Sequence, residues 1–240
     1  LYGFHDVKKN FSTGDWLKLS IKKIKDIKKR KKVPILVGGT GLYFKSLTDG
    51  LVKIPNIPIQ FRNKIRKLHK DLGQKKFYQK LLKLDPNYKK NINPTDAQRS
   101  IRAYEVKLFT KKSLHEWFES TKSDFMDEEF YKIYIDYPRQ DLIKRIATRT
   151  DEMLKSGAIP EVKRFIKLNV KKDKSVNKAI GIGEIKEFLR NKKKLSDISE
   201  KISIKTRQYA KRQSTWARGN MKSWLKLMPE DLNKFLKKIK

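Results

Sequence analysis

The chain has 240 residues, no cysteine and a formal net charge of +34 at pH 7, with 60 lysines and arginines against 26 aspartates and glutamates. That length allows one large domain or a core carrying an insertion. Disulfides and thiolate metal sites are excluded, three scattered histidines (His5, His69, His115) disfavour a histidine metal cluster, and no apolar run approaches the ~20 residues of a membrane span.

Nothing resembles a secretory signal, so a cytoplasmic protein is expected. The positive field favours nucleic acid as a partner and salt-dependent binding. The competing explanation is compositional, because lysine supplies most of the basic residues. The thirteen arginines are therefore more informative than the lysines, since a planar bidentate guanidinium does what an ammonium cannot. Seven of them fall in three short stretches: Arg99 and Arg102; Arg145 and Arg149; Arg207, Arg212 and Arg218.

Taken in chain order, Ser12-Thr13-Gly14-Asp15 offers a helix start, and Trp16, Leu17, Ile21, Ile24 and Ile27 follow at helical spacing. Val33 to Val37 is apolar and rich in β-branched residues, which predicts a buried parallel strand. A second helix is predicted just after Gly39. The stretch across this junction, VPILVGGTGLYFKS (33–46), nearly spells a phosphate-binding loop. Counted from Gly39, however, Phe44 stands where glycine must precede Lys45 and Ser46, and a side chain there blocks the approach of backbone to phosphate. The stretch is a decayed phosphate loop, a plain strand-to-helix turn, or a loop with another task.

Pro55 and Pro58 then break the chain, and residues 59 to 120 carry helical patterns and no convincing strand. Phe130 to Asp136 returns to strand character, with Pro138 suited to the first turn of the next helix. A long helix is predicted from about Leu195 to Arg218, then a strand-like segment, Ser223 to Leu227, and a basic terminal helix. Helix, strand, glycine turn and helix make an α/β fold with a parallel-sheet core, formed by residues 1–52 and 127–240, around a helical insertion at 53–126.

Three constellations could carry chemistry. In PTDAQRSIRAYEV (94–106), Arg99 and Arg102 share a helix face, as do Gln98 and Arg102. If Thr95 caps that helix, Gln98 completes a capping box, a role compatible with nucleotide contact. Arg145 and Arg149, spaced i, i+4, suit a diphosphate; the alternative is an ion-pair ladder with Asp141, Asp151 or Glu152. In TRQYAKRQSTWARG (206–219), cations beside Trp216 can track a phosphate backbone and stack on a base, although a tryptophan here also suits a core. No Ser-His-Asp or Cys-His set is available, and no carboxylate pair stands out as acid and base.

Together these pieces resemble the tRNA dimethylallyltransferases, also called tRNA isopentenyltransferases. The resemblance rests on PILVGGTGLYFKSLTDGL, NPTDAQRSIRAYEV, the Arg-x-x-x-Arg helix ending MLKSGAIPEV, KAIGIGE and RQYAKRQSTWARG, which occur in family order over nearly the whole chain. It implies a P-loop-NTPase-like core with a helical insertion that grips the tRNA anticodon arm. The implied reaction moves a dimethylallyl group from its diphosphate to the exocyclic amine of an adenosine beside the anticodon. Arg149 and Arg145 are then expected on the diphosphate, and Thr40, Arg62, Gln98, Arg99, Arg102, Lys178, Lys211, Arg212, Gln213, Trp216 and Arg218 on tRNA. GGTGLY becomes a turn lining the substrate channel; for Thr40 an N-cap role is also open. Mg2+ is the cofactor expected of the family, with no ligands expected here, and a monomer without membrane attachment is the expected state. Gly183 stands where the family commonly has Arg or Lys, so the tRNA interaction of that position is missing or passes to a neighbour such as Lys178. The family's phosphate loop and general base are expected upstream of Leu1, which would leave these 240 residues inactive alone. The rival expectations are an adenylate isopentenyltransferase acting on free nucleotide and a non-catalytic RNA-binding module.

Overall fold

A reciprocal cap starts the first helix of the computed structural model, which describes residues 1, 3–90, 93–191 and 194–238. Ser12 Oγ accepts from the Asp15 amide (3.2 Å), and Asp15 Oδ2 accepts from the Ser12 amide (2.9 Å). The helices that follow in chain order are α1 (Thr13–Lys29), α2 (Gly41–Thr48), α3 (Ile59–Leu84), α4 (Ala97–Thr110) and α5 (Leu114–Glu119). Strand β1 (Ile133–Ile135) precedes α6 (Arg139–Met153), α7 (Ile159–Lys167), α8 (Ile182–Asn191) and α9 (Leu195–Asn220); β2 (Leu225–Leu227) and α10 (Asp231–Lys238) close the order. Among the described residues no helix is long and apolar enough to cross a membrane. The chain divides into two compact units, residues 1–45 with 127–240, and residues 46–126. The first division falls inside α2, ahead of the predicted boundary at 52/53.

In the larger unit β1 and β2 pair in parallel, Ile133 opposite Leu225 and Ile135 opposite Leu227. Both lie within predicted strand segments, and the α/β class with parallel pairing holds. The expectation of a buried strand at Val33–Val37 requires correction. That segment forms no strand, and Val33, Ile35 and Val37 are 81%, 77% and 82% exposed. β-Branched residues favour extended backbone locally, but a strand exists only where a neighbour supplies the ladder, and among the described residues β1 and β2 pair only with each other.

The core of this unit is built on α9. Its Ile198 and Ile202 pack with Leu154, Val162 and Ile185, and α6 lies along the same helix, where Ser199 Oγ donates to Asp151 Oδ1 at 2.5 Å. A π-type turn at Leu154–Ala158 links α6 to α7. Ahead of α8, Gly181 takes φ +101°, a region open to glycine, and its amide donates to Glu184 Oε2 at 2.8 Å. The other oxygen of this buried carboxylate accepts from Lys205 of α9.

The smaller unit is helical, as expected for residues 59–120. α3 bends at Gly73 (φ 70°), and Phe77 and Leu81 beyond the bend pack on Ala103, Tyr104 and Val106 of α4. The cap of α4 is Asp96, whose Oδ1 accepts from the Arg99 amide at 3.0 Å. Thr95 is therefore not the N-cap, and the capping-box role for Gln98 falls away, because the residue three beyond the cap is Arg99. Gln98 is left exposed. The unit's two ends meet where Ser123 Oγ donates to the Leu47 carbonyl at 2.7 Å.

Glu184 yields a pH-dependent prediction. Burial pushes its pKa up, but the Lys205 hydrogen bond and backbone amides, Gly181's among them, outweigh burial and hold it below the ordinary 4.5. A depressed folded-state pKa stabilises the fold fully above the unfolded value, and that contribution disappears as pH falls through the folded one. Glu184→Gln should therefore lower stability at pH 7 by about 1–3 kcal/mol. The gap to the parent should close as thermal melts are run below pH 4.5.

Candidate functional site

In the larger unit the turn GGTG and helix α9 are brought together by the lack of side chains. Gln213 Nε2 donates to the Gly39 carbonyl at 2.9 Å. A Cβ on Gly39 would lie 2.2 Å from that same nitrogen, and one on Gly41 would lie 2.1 Å from Cζ3 of Trp216. At Gly41 only bare backbone can come so close to the rigid indole, whereas at Gly39 the atom met is the end of a flexible side chain. One turn further, Lys45 Nζ donates to Asn220 Oδ1 at 3.2 Å, and Asn220 Nδ2 donates to the Trp216 carbonyl at 3.0 Å. Thr40, between the two glycines, is exposed, and its carbonyl accepts from the Tyr43 amide at 3.0 Å as α2 begins.

Four predicted residues, Thr40, Gln213, Trp216 and the exposed Arg212, thus stand on or beside one junction. Gln213 and Trp216 hold the turn, which accounts for their partial burial. Lys211, Arg212 and Arg218 of α9 remain exposed, Arg212 at 5.7 Å from the Tyr209 ring and Arg218 Nη2 at 3.5 Å from Thr215 Oγ1. Lys178 is exposed at the end of a short turn, Ser175–Lys178, and forms no ion pair among the described residues.

Arg145 and Arg149 are exposed on α6, each followed in sequence by a buried residue, Ile146 and Thr150. The helix starts just past the carboxyl end of β1, where α/β proteins present ligand-binding groups. Arg145 lies over the Tyr137 ring at 5.5 Å, with Nη1 3.4 Å from the phenol oxygen. Among the described residues neither arginine pairs with Asp141, Asp151 or Glu152. Their donors stay open to an anion.

In the smaller unit Arg62 of α3 and Arg102 of α4 converge on Glu105. Arg62 Nε and Arg102 Nη1 each lie 3.5 Å from the same oxygen, Oε2. Arg99 instead pairs with its helix cap, Asp96, at 3.0 Å, leaving the guanidinium largely exposed.

A model of the IPP transferase family matches residues 1–220. The chain belongs to the IPP transferase family. A tRNA dimethylallyltransferase of Pelagibacter ubique (strain HTCC1062) is 58% identical over 240 residues, covering 100% of this chain and 77% of that protein. One from Rickettsia massiliae (strain Mtu5) is 39% identical over 241 residues, covering 100% of this chain and 66% of the relative. Among solved structures, a tRNA isopentenylpyrophosphate transferase of Staphylococcus epidermidis is 30% identical with a TM-score of 0.60, over 98% of this chain and 78% of that one. A eukaryotic dimethylallyltransferase acting on tRNA is 25% identical with a TM-score of 0.80, over 99% and 62%. The P-loop-like α/β class of these IPP transferases is the class of this chain.

Among the described residues no group of three or more histidine, aspartate and glutamate side chains could hold a metal ion. Sequence reasoning missed Tyr137, Glu105 and Glu184. For Glu105 the signal was present, an acid three residues after Arg102, but its burial is a tertiary fact.

The close approach at Gly41 predicts that Gly41→Ala pushes the Trp216 indole off the turn. Tryptophan fluorescence should shift to longer wavelength, and tRNA affinity should fall with it. Retention of both signals in the variant would mean that the turn does not depend on this approach.

Proposed function

We propose that this IPP transferase moves a dimethylallyl group from dimethylallyl diphosphate to the N6 amine of an adenosine beside the tRNA anticodon. The amine nitrogen forms a bond to the allylic carbon as the carbon–oxygen bond to diphosphate breaks; the pair of electrons leaves with diphosphate, and the amine's proton passes to the general base expected of the family. The observation that carries this reading is the juxtaposition on α9 of the glycine turn with exposed cations, inside a chain that matches the family over residues 1–220.

Arg149 supplies the chemistry's main electrostatic need. Charge grows on the diphosphate as it departs, and a fixed guanidinium stabilises the transition state more than the ground state. Arg145, held against Tyr137, assists from the same helix face. RNA contact falls to Thr40, Lys178, Lys211, Arg212 and Arg218 in the larger unit, with Gln213 and Trp216 holding the turn from which Thr40 projects. In the smaller unit Arg62, Gln98, Arg99 and Arg102 make the corresponding set.

The reading is tested by incubating the full-length gene product with dimethylallyl diphosphate and unmodified tRNA, with AMP as competitor. Transfer to adenosine in tRNA that AMP does not suppress is expected; modification of AMP in its place would refute it. The basic residues should also divide into two classes. Arg102→Ala and Arg218→Ala should weaken tRNA binding and flatten its log–log salt dependence, by roughly 0.9 for each duplex phosphate no longer neutralised, or roughly 0.7 on a single strand. Arg149→Ala should leave tRNA affinity nearly intact while lowering kcat on the order of 10²-fold. Equally weakened tRNA binding in all three variants would show that the sorting is wrong.

A further inference from the structure

Glu105 is a carboxylate in a place where a carboxylate is costly. It lies on the core face of α4 between Tyr104 and Val106, and its side chain is 2% exposed. A buried charge persists only with partners, and here they are the guanidiniums of Arg62 and Arg102. Both are directed at one oxygen, Oε2, from two different helices. Their side chains are 37% and 40% exposed, so each has one edge on the carboxylate and further N–H donors facing solvent. Both separations measure 3.5 Å, longer than the roughly 2.7–2.9 Å of a tight charge-assisted hydrogen bond. Arg62 Nε is buried and makes no hydrogen bond. The trio is therefore held as ion pairs rather than by tight hydrogen bonds.

We propose that Glu105 is a positioning residue for tRNA binding: it holds two guanidiniums at a fixed spacing so that their outer edges meet backbone phosphates together. Two cations side by side repel, and in a lysine-rich surface they would spread apart; one buried anion between them reverses that. Each arginine is thereby ordered before RNA arrives, which lowers the entropic cost of binding. The residue touches no substrate, and its effect passes wholly through Arg62 and Arg102. The inference rests on the reading that this unit contacts RNA.

Electrostatics and positioning predict opposite signs, which makes the test sharp. The trio carries a net charge of +1, and Glu105→Gln raises it to +2 with little change of shape. If charge alone governed binding, the variant would hold tRNA more tightly and with a steeper salt dependence. Positioning predicts the reverse. Affinity for the tRNA stem-loop should weaken on the order of tenfold, and the salt slope should flatten by roughly 0.7–0.9 for each phosphate no longer met. KM for tRNA should rise with kcat unchanged.

The experiment uses the full-length gene product and measures tRNA stem-loop binding across salt concentration and steady-state kinetics for the parent, Glu105→Gln, Arg62→Ala/Arg102→Ala and the triple variant. Binding is read well below each variant's thermal midpoint, so that reduced stability does not count as reduced affinity. Weakened binding in Glu105→Gln, with no further weakening when it is added to the double arginine variant, supports the proposal. Unchanged or tighter binding in Glu105→Gln overturns it, as does additive weakening in the triple variant. If the double arginine variant binds as the parent does, the RNA-contact reading of this unit fails instead. A Glu105→Gln protein too unstable for study transfers the decision to Glu105→Asp. That change keeps the charge but withdraws the carboxylate by one methylene, and parent-like salt slope and KM there would overturn the proposal.

Discussion

Two absent side chains govern the larger unit. Because Gly39 and Gly41 have no Cβ, the backbone of one turn lies directly on Gln213 and Trp216 of α9. At the observed approach a single methyl group would overlap an indole carbon, and close-packed interiors do not absorb such an overlap without moving their neighbours. The exposed Thr40 is fixed between those two approaches, and α2 starts from them. The same demand for bare backbone explains why the stretch nearly spells a phosphate loop. Both kinds of turn need glycine so that something can come close; here it is a helix that does so.

One arrangement recurs in both units: a buried glutamate beneath partly exposed cations. Glu184 is buried between the Gly181 amide and Lys205, and Glu105 between Arg62 and Arg102. In each case desolvation of the carboxylate is offset by hydrogen-bonding or ionic partners whose side chains remain partly in water. With a formal net charge of +34, the chain cannot neutralise its surface with 26 acidic residues. Placing acids beneath selected cations fixes where those cations stand while leaving the exterior positive. A lysine-rich composition alone would supply charge without geometry. Among the arginines proposed to meet anions, Arg145 is seated on Tyr137, Arg99 on Asp96, and both Arg62 and Arg102 on Glu105.

How far the sequence is legible depends on the range of the interaction. The Ser12–Asp15 cap is a four-residue event and is visible in the sequence, as are the long helix ending near Arg218 and the strand character of both paired segments. At α4 two adjacent residues, Thr95 and Asp96, are both competent to cap, and only the backbone angles at Asp96 choose between them. Val33–Val37 has the composition of a buried strand, yet composition does not supply a neighbour.

The sequence by itself determined the family, the α/β class, the helix starts set by local hydrogen bonds, and the residue types able to meet an anion. Those features depend on spacing within a few residues or on motifs kept in order along the chain. Tertiary structure decided which of those residues are partnered. Gln213 meets Gly39 across 174 residues and Lys45 meets Asn220 across 175, separations over which no sequence periodicity operates. The convergence of Arg62 and Arg102 on Glu105 likewise requires α3 and α4 to pack first. Side-chain chemistry is written locally, but burial and the distances that give it effect exist only once the chain has closed on itself.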